Sequence, residues 1–233
     1  FYSGMIFGLT AYPVRGVIWF QADGNAEHPL EYSELFQSLI KQWREAWRDP
    51  RLPFYFVEMN TVREERQTRP VQPNSLSMIR EQQHGGLLQP GVGMVCAIDL
   101  GETNPHFPRK KPVGERLAAL ALRDCYGQSG QVNSPMYEGH RVVGNKIRLT
   151  FRDAGGLRLR GGDALKGFAI RDAAGDWVWA NGRIDGEEIW VWSDRVSAPC
   201  AVRYAWAMNP VISVENGAGL PLIPFRTDAD TQR

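Results

Sequence analysis

The stretch Gly16-Val17-Ile18-Trp19-Phe20-Gln21-Ala22-Asp23-Gly24-Asn25-Ala26 gathers two side-chain amides and a carboxylate into a turn of small residues. Val17–Phe20 reads as a buried strand that stops abruptly at this turn. Open α/β sheets place their chemistry at the carboxyl ends of parallel strands, so the turn is the first place to look for it. The alternative is that Asn25 only caps the turn before the next segment. A second polar stretch, Asp99 to Lys111, follows another apolar run and carries His106. The other histidines, His28, His84 and His140, have no partners at metal-ligand spacing, so neither a metal nor any other cofactor is expected.

The elements that must position these residues alternate in type. Tyr32, Leu35, Phe36, Leu39, Ile40, Trp43 and Trp47 recur at helical spacing, which predicts an amphipathic helix from about Glu31 to Arg48. Phe54–Met59 and Gly93–Leu100 are apolar runs of strand length. Asn74–Gln83 predicts a helix capped through Asn74 or Ser75. Pro112–Tyr126 predicts another, with Pro near its start and Gly127 after its end. Strand–helix alternation of this kind implies a parallel sheet covered on both faces, an α/β fold over residues 1–130. Residues 131–233 change texture. Short alternating runs such as Lys146–Phe151, Gly167–Asp172, Glu188–Ser193 and Ala201–Ala207 are separated by turn signals at Asn181-Gly182 and Asp185-Gly186. This half predicts a β-sandwich-like domain of about seven strands. Trp177 with Trp179, and Trp190 with Trp192, fall on single strand faces. They predict either an aromatic ladder able to stack sugar rings or packing within the sandwich.

Composition excludes several classes. In 233 residues, 43% are hydrophobic and 23% charged, ordinary for a globular protein, and the net charge is +1. Nothing marks a nucleic-acid surface, and no apolar run is long enough to span a membrane. Cys96, Cys125 and Cys200 read as small buried hydrophobes, with a Cys125–Cys200 or Cys96–Cys125 bridge as the alternative. The chain opens on Phe1 without a signal peptide, which reads as a piece of something longer or a mature product.

Several blocks in order carry a resemblance. Gly16–Ala26 resembles the W-Y-Q-G-E-S-N-A block of the sialate O-acetylesterases, carbohydrate esterases of the SGNH-hydrolase superfamily. Ile79-Arg80-Glu81-Gln82-Gln83, Asp99-Leu100-Gly101, Ala201–Trp206 and Pro224-Phe225-Arg226-Thr227-Asp228 are similar to later blocks of the same family. The resemblance implies a flavodoxin-like three-layer domain, incomplete at its N-terminus, followed by the β-rich domain. It implies removal of O-acetyl groups from sialic acid or related glycans by Ser-His-Asp chemistry, with a periplasmic or secreted location. It also implies that the nucleophile lies in a segment upstream of this chain. Asn25 would donate its amide, and Ala22 its N–H, to the oxyanion. His106 would be the base, with Asp99 or Glu102 to orient it.

The departures matter too. Ala22, Asp23 and Gly24 replace the family's Gly, Glu and Ser. Aligning Pro108 and Lys111 puts Pro105 and Phe107 in the Asp and His positions and leaves His106 one residue out of register. General-base work requires contact of about 3 Å. A catalytically degenerate homologue, acting as a glycan-binding or structural module, is the alternative.

Overall fold

The structure, a computed structural model, describes residues 2–21, 23–61, 66–71, 75–101 and 108–228. Its first half is built on the two-residue period of the run Phe54-Tyr55-Phe56-Val57. These residues form β2 (Phe54–Val57), which lies between β1 (Val17–Trp19) and β3 (Val92–Val95), all parallel. Phe54 and Phe56 point to one face, where they meet Phe36 and Ile40 of α1 (Tyr32–Ala46) and Ile79 of α2 (Ser75–Gln83). Tyr55 and Val57 point to the other, against Leu117 and Leu120 of α3 (Lys111–Tyr126). Sheet and helices therefore form three layers, as the alternating pattern implies.

The helices start and stop for local reasons. In α1 the buried positions Tyr32, Phe36, Ile40 and Arg44 recur every four residues. Arg44 closes that row by donating to the carbonyls of Leu52 (3.1 Å) and Pro90 (2.7 Å). α3 ends where Gly127 takes φ +71°, a conformation that favours glycine. The N–H of Gln128 then reaches back to Leu122 O (3.1 Å), satisfying a terminal carbonyl.

β1 departs from the sequence expectation of a buried strand. It is the sheet's edge, and Ile18 is 63% exposed while only Val17 is buried. Ile18 lies in register with Tyr55 on the face that α3 covers. However, α3 packs chiefly over β2 and β3, which leaves Ile18 largely exposed. Apolarity of the run showed its type, while its burial depends on neighbours that sequence period does not encode.

The second half is antiparallel throughout. One sheet orders β4 (Met136–Val143), β5 (Lys146–Arg152), β10 (Glu188–Trp192) and β9 (Asn181–Asp185). The other orders β13 (Phe225–Arg226), β11 (Ala201–Tyr204), β7 (Phe168–Arg171) and β8 (Val178–Trp179). A short pair, β6 (Arg158–Leu159) with β12 (Val214–Glu215), completes it. Ile147, Leu149, Ile189 and Val191 of the first sheet pack on Phe168, Ile170, Val202 and Tyr204 of the second. This is sandwich packing.

The chain changes sheets between Trp179 and Asn181, so of the two readings of the tryptophan pairs the ladder of four indoles does not form. Trp190 and Trp192 instead stand opposite Arg148 and Lys146. Trp177 lies between the guanidinium groups of Arg171 (5.0 Å) and Arg203 (4.7 Å). All three cysteines are free thiols: Cys96 buried, Cys125 half-buried and Cys200 exposed. Among the described residues no helix is long and apolar enough to cross a membrane.

Candidate active site

Past the end of β1, Asp23–Asn25 coil into one 3-10 turn. Ala26 N–H bonds Asp23 O (2.9 Å) and His28 N–H bonds Asn25 O (3.1 Å). Gln21 Oε1 accepts from the Trp19 indole N–H (3.3 Å) and the Tyr32 hydroxyl (3.0 Å). Burial raises the Tyr32 pKa, so the phenol stays protonated and keeps donating. With its oxygen so occupied, Gln21 turns Nε2 to Asn25 and donates to Oδ1 at 2.5 Å. Asn25 is left with Nδ2, a donor, to offer elsewhere. A half-buried N–H donor fixed in advance at a strand's carboxyl end is the arrangement that stabilises a developing oxyanion.

Ala22 and His106 lie outside the described residues, as do Glu102, Pro105 and Phe107. The described flanks of the His106 segment are both at this edge of the sheet. Gly101 approaches Thr61, just past β2, so closely that a Cβ would come within 2.2 Å of its Oγ1. Lys110 Nζ sits 4.7 Å over the ring of Phe20, just past β1.

Asp99 is held by protein partners. Its carboxylate, 1% exposed, holds Arg116 through two bonds of 2.7 Å and Arg160 at 2.9 Å. Arg116 belongs to α3 and Arg160 follows β6 in the sandwich. Asp99 thus joins the two halves, and its oxygens are already engaged.

A second polar group at the same edge escaped sequence reasoning. Glu58, fully buried directly after β2, lies with Oε1 2.9 Å from His84 Nε2 and accepts from Cys96 Sγ at 2.9 Å. Against a carboxylate that imidazole nitrogen carries the proton. Burial, reinforced by Glu58, pushes the Cys96 thiol well up, so it remains S–H. Beside them Arg80, 1% exposed, donates to the carbonyls of Met59 (2.8 Å), Asn60 (3.0 Å), Ala207 (2.7 Å) and Met208 (2.8 Å). Burial lowers Arg80 to about 10 against the attraction of Glu58, so it is still charged at neutral pH. The available signal was a glutamate ending an apolar strand run, on the face shared by Phe54 and Phe56.

Comparisons with known proteins agree with this architecture. No match was found among curated proteins. Among solved structures, a carbohydrate acetylesterase from Xanthomonas citri superposes with a TM-score of 0.90 at 35% identity. The match covers 98% of this chain and 54% of that one, so this chain spans about half the length of its structural relative. The sequence model of the carbohydrate esterases described as sialic acid-specific acetylesterases matches residues 4–123, just over half of the chain. The chain belongs to that carbohydrate esterase family.

Proposed function

We propose that this chain is the C-terminal part of a carbohydrate esterase that removes O-acetyl groups from sialic acid or a related glycan. In this reading a serine in an upstream segment, on the same or a separate chain, attacks the acetyl carbonyl. His106 takes the serine proton and returns it to the departing sugar hydroxyl. Asn25 Nδ2 and the Ala22 N–H hold the oxyanion. Water then attacks the acyl-serine ester, releasing acetate and regenerating the serine.

The observation that carries the reading is the Gln21–Asn25 contact, which holds Asn25 by Oδ1 and leaves its Nδ2 donor to present. The open edge of β1 supports an upstream segment. Ile18 and Phe20 are exposed there, with Met5, Phe7 and Leu9 exposed nearby in sequence. An unpaired strand edge is a template for further strands. The engagement of Asp99 by two arginines favours a second reading, a homologue that binds glycans without hydrolysing them.

Hydrolysis of p-nitrophenyl acetate by the protein together with its upstream segment decides between them. Asn25→Ala should lower kcat about 10²–10³-fold with little change in KM. An unchanged kcat would remove Asn25 from the oxyanion site, and absence of any turnover would favour the binding module.

A further inference from the structure

Seven of the eight tryptophans are covered by protein. Trp19 packs on Trp43, Trp43 on Trp47, Trp192 under Lys146, and Trp177 and Trp206 beside arginines. Trp190 is half-buried. Trp179 alone is exposed, at 39%. It lies on the edge strand β8, where Val178 and Ala180 turn inward and Trp179 turns out.

The indole lines a cavity of about 190 Å³, shared with Leu165, Lys166, Gly167, Ala180 and Val211. Its walls are held firmly. Ser213 Oγ accepts from the Lys166 N–H and donates to the Lys166 carbonyl, both at 2.8 Å. Gly167 has φ +83°, and a Cβ there would meet Val211 O at 2.1 Å, so no side chain can grow from that position. The Lys166 side chain is exposed and enters no ion pair among the described residues. The cavity wall is also tied to the first half of the chain. Val211 N–H bonds Gln67 Oε1 (3.2 Å), and Gln67 N–H bonds Asn209 O (2.9 Å), within the segment that follows the carboxyl end of β2.

A cavity lined by an exposed tryptophan and an exposed lysine suits a sugar ring. The ring's C–H bonds present partial positive charge to the negative face of the indole. The ammonium offers three donors to hydroxyl, acetyl or carboxylate oxygens. The volume falls below the ~300–1,000 Å³ of sites that enclose a whole ligand, so the cavity takes one ring of a longer chain.

We infer that Trp179 and Lys166 form a saccharide subsite that holds a non-reacting ring of the substrate, which makes the substrate an acetylated oligosaccharide or polysaccharide rather than a free monosaccharide. This rests on the carbohydrate-esterase reading above. The test compares kcat/KM for O-acetylated xylo-oligosaccharides and for sialyllactose carrying O-acetyl groups with kcat/KM for p-nitrophenyl acetate. Trp179→Ala should lower the better oligosaccharide-to-p-nitrophenyl ratio about tenfold, chiefly through KM, and Trp179→Phe should restore most of it. A ratio unmoved by Trp179→Ala overturns the subsite while leaving the esterase intact. Should no ester be hydrolysed at all, calorimetric titration with the same sugars decides separately. Binding weakened about tenfold by Trp179→Ala supports the subsite, and absence of binding to the wild-type chain overturns it.

Discussion

The carboxyl ends of the parallel strands β1, β2 and β3 lie along one side of the sheet, yet they treat polar groups in opposite ways. At the end of β1, Gln21 is fully engaged and in turn leaves the Asn25 amide nitrogen available. At the ends of β2 and β3, Glu58, Cys96 and Asp99 are each met by protein partners and removed from solvent. A polar residue at a strand end is therefore a candidate for chemistry only after its partners are counted. The first end leaves a donor, Asn25 Nδ2, available. At the other two, Glu58 ties β2 to His84 and Cys96 of the same half, and Asp99 ties that half to Arg160 of the other.

Arg80→Met is the strongest way to break that distinction. Met fills much of the same volume but leaves four carbonyls without these donors and removes a cation that attracts Glu58. Breaking a buried charge network in this way costs about 3–5 kcal/mol. The urea midpoint should fall accordingly. A variant of unchanged midpoint would mean that Arg80 is not structural.

Asp99→Asn comes next, at about 2–3 kcal/mol, because Arg116 and Arg160 retain some access to water when their partner is lost. Here the alternatives separate cleanly. If Asp99 only joins α3 to the sandwich, stability falls and the pH dependence of kcat keeps its shape. If it orients His106, the loss appears in kcat and the profile shifts.

The three layers were legible because they depend on local periods. Phe54–Val57 alternates faces, and Tyr32, Phe36 and Ile40 recur every four residues, whatever lies elsewhere in the chain. The Gln21–Asn25 turn was legible for the same reason, since both amides come from one short block. What escaped notice depends on distant partners. Glu58 needs His84 and Cys96, Asp99 needs Arg160, and Gly101 needs Thr61 pressed against it. The exposure of Ile18 and the separation of the tryptophan pairs are likewise set by which strand neighbours which, and side-chain alternation is silent on that.

The smallest effect tests the structural carboxylates by titration. Asp228 lies under Arg203, whose guanidinium donates to its two oxygens at 3.0 and 2.6 Å. Burial alone would raise its pKa, but these bonds outweigh burial and hold it below the usual carboxylate value. A depressed acid contributes stability that is complete above the unfolded value near 3.9 and is lost as pH falls through the folded one. Asp228→Asn should therefore lie below the wild type by about 1 kcal/mol at neutral pH. The two should converge as pH drops below about 4. Thermal midpoints between neutral pH and about pH 3 read this directly. Convergence would place Asp228 with Asp99 and Glu58, among carboxylates that bind the halves and strands of this molecule to one another. A constant gap down to acid pH would mean that the ion pair with Arg203 contributes nothing. The stability difference would then come from packing around Trp177 and Trp206, against which Arg203 also stacks.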